Sequence, residues 1–270
     1  MTEKAETLPG VRAAAAPAAA RARVPVMVLS GFGINAEIEL ADAFRRAGAS
    51  PDIVHIGDLA AQPRLLEDYR IVGFPGGFSF GDHLGSGKVL ASLVRAELRT
   101  ALQQLVRRGG LVIGICNGFQ ILAKSGMLPD LDGDWTPCVS LIHNDCGRFE
   151  NSWTECQIYS AASEAWLRGL GRIELPVRHG EGRFVCADSG VLRQLQSNGR
   201  VALRYRGRNP NGSQDGIAGI CDPSGRVLGL MPHPEAFCDR LQHPKWTRGS
   251  DSEPTGLAIL RNGVQFAAVL

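Results

Sequence analysis

From Val24 onward, short apolar and β-branched runs alternate with longer stretches whose apolar residues recur every three or four positions. VPVMVL at 24–29, PDIVHI at 51–56 and RIVGF at 70–74 predict strands, and the spacing between the first two predicts a helix from about Asn35 to Ala47. Such alternation implies parallel strands joined by crossover helices. A longer helix is expected from about Gly87 to Arg108. Val89, Leu90, Leu93, Val94, Leu98, Leu102 and Leu105 form its apolar stripe, and Gly109-Gly110 stops it.

The next stretch, LVIGICNGFQILAKS at 111–125, predicts a buried strand, a sharp turn and a helix. Cys116 falls at the bend between Gly114 and Gly118, where missing Cβ atoms let the backbone fold tightly beneath a side chain. This is a cysteine counterpart of the Gly-x-Ser-x-Gly nucleophile elbow. A thiol there sits at a helix N-terminus, which favours the thiolate. Taken alone the motif fits a buried structural cysteine equally well.

Beyond it, VSLIH, TECQIY, RIELPV and RFVCA mark short strands between about 128 and 200, followed by a short helix near Val191–Gln196. VALRY, DGIAGIC and RVLGLM mark three more, the last two joined by the turn Asp222-Pro223-Ser224-Gly225. A closing helix is expected from about Thr255 to Ala268. The fold class expected is α/β, with a mostly parallel sheet flanked by helices. Residues 1–23, rich in Ala, Arg and Pro, read as a disordered extension, and 24–270 as one domain.

Composition narrows the function. A net charge of +2 in 270 residues, with no basic block interleaved with aromatics, gives no support for nucleic-acid binding. No apolar run approaches the ~18 residues that cross a bilayer. Seven cysteines without a CxxC pair or zinc spacing point to free thiols, a reducing cytoplasmic setting and no bound metal. GDHLGSGKV at 81–89 resembles a phosphate loop but lacks it twice, with Asp82 for the first Gly and Val89 for Ser or Thr.

Pro232-His233-Pro234-Glu235, directly after an apolar strand, is the second chemical signal. Residues two apart on an extended chain project to one side, so Glu235 can orient His233. A cysteine nucleophile needs a base, and the base needs an orienting group; Cys116, His233 and Glu235 supply these types. Pro75-Gly76-Gly77-Phe78, with the N–H of Asn117, would supply donors for an oxyanion. His179 heads a glycine loop, His-Gly-Glu-Gly-Arg, able to approach a ligand.

These segments together resemble the class I (triad) glutamine amidotransferases, and within them the glutaminase components of phosphoribosylformylglycinamidine synthase. The resemblance rests on FPGGFSFGDHLGSG at 74–87, GICNGFQIL at 114–122, GRFENSW at 147–153 and HGEGRF at 179–184. It continues in NPNGSQDGIAGICDPSGRVLGLMPHPE at 209–235 and HPKWTRG at 243–249. It implies a flavodoxin-like fold with Cys116 as nucleophile, His233 as base and Glu235 as its orienter. Gly77 and Asn117 would be the oxyanion donors, with Gly76 the alternative, and Gln120 and His179 would contact the substrate L-glutamine. The resemblance further implies glutamine hydrolysis that supplies ammonia to a large synthetase subunit, possibly with a small accessory subunit. ATP and magnesium would belong to that partner, with no cofactor in this chain. Gly85 departs from the Arg often found there, and Gly147–Glu150 looks more like the long single-chain form. Competing readings are another class I amidotransferase, a γ-glutamyl hydrolase, or a non-catalytic regulatory subunit. Hydrolysis without any synthetase would favour the hydrolase.

Overall fold

The computed structural model describes residues 23–82, 84–248 and 254–270. The expected extension at 1–23 lies, apart from Arg23, outside the described residues. Among the described residues eleven strands follow in the order the apolar pattern predicts, with eight α-helices, of which the two short ones at Ile56–Ala61 and Glu164–Leu167 were not expected. β1 (Pro25–Ser30), α1 (Glu37–Arg46), β2 (Ser50–His55), α2 (Ile56–Ala61) and β3 (Ile71–Phe74) form the first parallel unit. The long helix is real but broken: α3 (Lys88–Leu93) and α4 (Arg99–Arg107) are separated by a π turn at Val94–Leu98. Leu90, Val94, Leu98, Leu102 and Leu105 of its stripe are all fully buried.

β4 (Leu111–Ile115) leads into α5 (Asn117–Ser125), and β5 (Val139–Ile142), β6 (Glu150–Ile158) and α6 (Glu164–Leu167) come next. Then follow β7 (Arg172–His179), β8 (Arg183–Cys186), α7 (Ser189–Ser197), β9 (Val201–Arg206), β10 (Ile217–Cys221), β11 (Val227–Leu230) and α8 (Thr255–Ala267). Nine strands form one sheet in the order β2-β1-β3-β4-β11-β10-β9-β6-β7, and β5 pairs with β8 separately. From β2 to β11 the neighbours run parallel; from β11 to β7 they run antiparallel. β3, β4 and β11 are buried at every position, as central strands covered by helices on both faces must be. Pro51 is confined to the edge strand β2, where a missing donor costs little. The Asp222–Gly225 turn makes the β10–β11 hairpin: Asp222 accepts from Ser224 and Val227 through its two carboxylate oxygens.

Two features of this frame position the site. Cys116 and His233 follow the adjacent parallel strands β4 and β11, which end in register at Ile115 and Leu230, so both emerge at the same sheet edge. The sheet then curls back on itself. β7 lies four places beyond β11 in the sheet order, yet the Pro176 carbonyl accepts from the His233 N–H at 2.9 Å.

α5 lies hard against the sheet, and Gly118 makes this possible. A Cβ there would fall 1.9 Å from the Phe74 carbonyl oxygen. Gly118→Ala should therefore push the helix off β3 and lower unfolding stability by about 3 kcal/mol, measured as the urea midpoint at constant slope. An unchanged midpoint would mean the helix can back away at no cost.

Candidate active site

β4 passes its last ladder bond through the Cys116 N–H, which donates to the Leu230 carbonyl at 2.8 Å, and the next step is already helix. The Cys116 carbonyl accepts from the Gln120 N–H at 3.0 Å. Making both bonds in consecutive peptide planes forces Cys116 to φ 51° and ψ −106°, a region that side-chain-bearing residues rarely enter. The sulfur is turned out of the helix into a cleft of about 300 Å³ lined by Asn35, Glu39, Gly76, Gly77, Phe149, Arg178 and His233 among others. It lies 3.6 Å from the Arg178 carbonyl oxygen, which accepts from it.

The imidazole of His233 stands beside it. Nδ1 is 2.6 Å from Oε1 of Glu235, and both side chains are almost wholly buried. Nε2 is buried without a hydrogen bond of ordinary geometry. Burial alone would lower the imidazole's proton affinity. The carboxylate of Glu235 and then the Cys116 sulfur outweigh it, raising the pKa to about 10. An imidazolium placed here is the counter-ion a thiolate needs. Burial pushes the thiols of Cys156, Cys221 and Cys238 up to about 12, and the charges of Arg200 beside Cys221 and Arg46 near Cys238 offset it only in part.

Gly76 sits where the two reactive side chains converge. A Cβ on it would lie 2.9 Å from Cε1 of His233 and 3.6 Å from Cβ of Cys116. The Gly76 carbonyl is occupied by the N–H groups of Asn35 and Ala36, and the Phe78 N–H donates to the Gly33 carbonyl. In this narrow pairing, Gly77 opposes Ile34 without bonding it, so the Gly77 N–H turns away from that loop. The Asn117 N–H heads α5, where no carbonyl lies one turn back to receive it.

The structure therefore gathers Cys116, His233, Glu235, Gly76 and Gly77, with the start of α5, at one point. Gln120 and His179 are placed differently. Gln120 accepts from Asn117 Nδ2 and donates to the Glu181 carbonyl, joining α5 to the glycine loop. Glu181 in turn accepts from the Ser86 N–H, while Lys124 reaches the Ser86 carbonyl. These bonds fix the backbone at Ser86. The His179 ring points away from the cleft, between Asn144 Oδ1 at 3.2 Å from Nδ1 and Asn211 Nδ2 at 3.4 Å from Nε2. Asn144 Oδ1 also accepts from the Gly182 N–H, which assigns it as the oxygen and puts the His179 proton on Nδ1. Burial, then the charge of His233, lowers the His179 pKa to about 4.

Three cleft residues carry no signal in a single-residue motif: Glu39, Phe149 and Arg178. Arg178 is the charged residue immediately before His179 on β7, and Glu39 an acid on the first turn of α1. Among the described residues no cluster of His, Cys, Asp and Glu is arranged to hold a metal ion. No described helix is long and apolar enough to cross a membrane.

A protein-family model described as a CobB/CobQ-like glutamine amidotransferase domain matches residues 23–267. The chain belongs to this glutamine amidotransferase family. It is 41% identical over 253 residues to phosphoribosylformylglycinamidine synthase subunit PurQ of Dehalococcoides mccartyi, covering 91% of this chain and 98% of that protein. It is 37% identical to the subunit of the same name from Methanococcus maripaludis, covering 89% and 96%. Among solved structures it resembles a chain of PurLQS from Thermotoga maritima, with a TM-score of 0.71, 29% identity, and 90% and 99% coverage. The chain is thus a glutamine amidotransferase, a class whose nucleophile is typically a cysteine.

Two outcomes test this geometry. Gly76→Ala should cut glutamine hydrolysis at least tenfold with little loss of stability, because the new methyl displaces the imidazole; kinetics and a melting curve check it together. His179 is neutral in the fold but protonates near 6.5 in the unfolded chain. Between about 6.5 and about 4 the unfolded state therefore binds the extra proton, and stability falls as pH falls through that window, by on the order of 3 kcal/mol in full. His179→Gln should flatten this part of the curve in urea denaturation at pH 7 and 4.5; an unaltered slope would assign the acid loss to other groups.

Proposed function

We propose that this amidotransferase is the glutaminase subunit of phosphoribosylformylglycinamidine synthase, with residues 24–270 as its glutamine amidotransferase domain. The observation that carries the reading is the meeting of Cys116 with the buried His233–Glu235 pair at one sheet edge. Cys116 is the nucleophile, His233 the acid and base, and Glu235 fixes the His233 tautomer. The Cys116 thiolate attacks the side-chain carbonyl carbon of glutamine, and the N–H groups of Gly77 and Asn117 receive the developing oxyanion. His233 gives its proton to the departing ammonia, leaving a γ-glutamyl thioester. The neutral imidazole then takes a proton from water as its oxygen attacks the thioester; glutamate leaves and the thiolate returns. Gln120 and His179 act behind the cleft wall, holding α5 and the glycine loop.

Ammonia released to water at neutral pH is protonated and loses its nucleophilicity, so the product needs a covered exit. Phe32, Phe78, Phe80 and Phe149 stand 37–51% exposed, with Phe78 and Phe149 in the cleft wall itself and Phe32 stacked on Phe80. Exposed aromatics gathered at a cleft mouth suit a docking partner. The partner in this reading is a synthetase that uses ATP and magnesium to convert formylglycinamide ribonucleotide to its amidine, with a small accessory subunit completing the assembly. Seven free thiols suit a cytoplasmic, reducing setting.

With the synthetase present, Cys116→Ala should lower glutamate release ~10³-fold or more. Undiminished release would remove the nucleophile assignment, and full release by the wild-type chain without any synthetase would point to a hydrolase instead.

A further inference from the structure

The two N–H groups given to the oxyanion come from different elements. Gly77 belongs to the turn that follows β3 and Asn117 opens α5, so their separation is set by how the turn sits on the helix. The turn leaves β3 at Phe74, the point that α5 approaches through Gly118. It is then bonded to the loop after β1: the Phe78 N–H donates to the Gly33 carbonyl at 2.9 Å and the Phe80 N–H to the Phe32 carbonyl at 2.6 Å. Gly77 has no slack in that direction, since a Cβ on it would lie 2.7 Å from Cα of Ile34. Toward α5, the Ser79 N–H donates to Oδ1 of Asn117 at 3.3 Å. Asn117 thus offers one donor from its own backbone and, with its side chain, grips the turn two residues beyond the other.

Which way the Asn117 amide faces is decided further along. The Glu181 carbonyl can only accept, so Nε2 of Gln120 is turned to it; Oε1 of Gln120 then takes Nδ2 of Asn117 at 2.9 Å, which leaves Oδ1 for Ser79. Reversing either amide would set acceptor against acceptor. Ser79, Asn117 and Gln120 are 2%, 0% and 3% exposed, so water offers no alternative partner. A directed row of buried bonds therefore runs from the glycine loop to the oxyanion turn. We propose that the Asn117 side chain is a positioning residue for glutamine cleavage: it holds the Gly77 N–H at the spacing the oxyanion requires, and Gln120 fixes the direction of its amide. Its effect falls on the step in which the carbonyl oxygen becomes charged, and Gln120 acts through Asn117. The proposal rests on the glutaminase reading above.

The test uses the full chain with its synthetase partner and three variants, Asn117→Ala, Gln120→Ala and the double variant, all of which keep every backbone N–H. Asn117→Ala should lower kcat for glutamine about tenfold or more, part of what a whole oxyanion donor supplies, with KM within about twofold of wild type. Alkylation of Cys116 by iodoacetamide, followed by peptide mass spectrometry, should keep its wild-type rate: sulfur bonds to carbon, iodide leaves with the electron pair, and no oxyanion forms. Gln120→Ala should give the same signature at smaller size, and the double variant should be no slower than Asn117→Ala. A raised KM at unchanged kcat would overturn the proposal in favour of a substrate contact, and alkylation that slows in step with kcat would overturn it in favour of an action on the nucleophile. Multiplied losses in the double variant, or kinetics unchanged in all three, would overturn it too. Where melting curves show that Asn117→Ala does not fold, Gln120→Ala, which leaves the acceptor of Ser79 in place, decides by the same split between kcat, KM and alkylation. Absence of any glutamine hydrolysis by the wild-type complex would instead defeat the glutaminase reading.

Discussion

The conformation of one residue sets the terms for the rest of the molecule. Cys116 must end a ladder bond to Leu230 and begin a helix within a single residue, and at φ 51° and ψ −106° it does so at a cost of about 1–3 kcal/mol. That strain persists only because the elements on either side cannot move. β4 is buried along its whole length between β3 and β11, and every residue of α5 except Lys124 is buried. Gly118 lets the helix approach the backbone of β3 at Phe74. The sulfur is thereby presented to the cleft by a rigid frame, which is what a nucleophile requires to meet its base without searching.

Electrostatics is arranged around the same point. Glu235 is buried with one oxygen on His233 and the other without a hydrogen-bond partner. Its charge is poorly solvated, and the imidazole beside it answers by holding its proton. Arg178 approaches from the opposite side but is drawn outward by Glu39, so the pair keeps its charge while a second, more open pair borders the cleft. Further back, His179 lies between two asparagines and is held neutral by burial and then by the charge of His233. A short distance along β7 thus separates a cation in the cleft from a neutral imidazole behind it, and burial together with partners accounts for the difference.

The motifs that distinguish this chain within its class serve mostly as joinery. Asn211 donates to the Gly182 carbonyl, Ser213 accepts from the Phe184 N–H, and Asn144 accepts from the Gly182 N–H and donates to the His179 carbonyl. Gln120 and Glu181 connect α5 to the loop that carries Ser86. These bonds fix irregular backbone where no sheet or helix can satisfy it. His243, near the end of the chain, is likewise buried against Trp153 and Phe237 with its Nε2 on Glu174. The family resemblance implied that Gln120 and His179 contact the substrate; in the fold their side chains bond Asn117, the Glu181 carbonyl, Asn144 and Asn211.

The strands, the longer helices and the cysteine elbow were legible from apolar period and glycine placement, while the short α2 and α6 were not, because those signals are local: burial of β3, β4 and β11 on both faces writes an unbroken apolar run, and a bend without Cβ atoms writes Gly-x-Cys-x-Gly. The break in the long helix at Val94–Leu98 left no such mark, since its apolar stripe continues through the π turn. What lay beyond the sequence was the curl of the sheet. β7 is four strands from β11 in order, and no periodicity records that Pro176 will bond His233 or that Arg178 will come to rest between Glu39 and the His233 imidazole. Side-chain patterns report which face of an element is buried; they carry no information about which distant element covers it. Local chemistry therefore marked Cys116 and His233 as candidates, and only the packing of the whole chain decided what surrounds them.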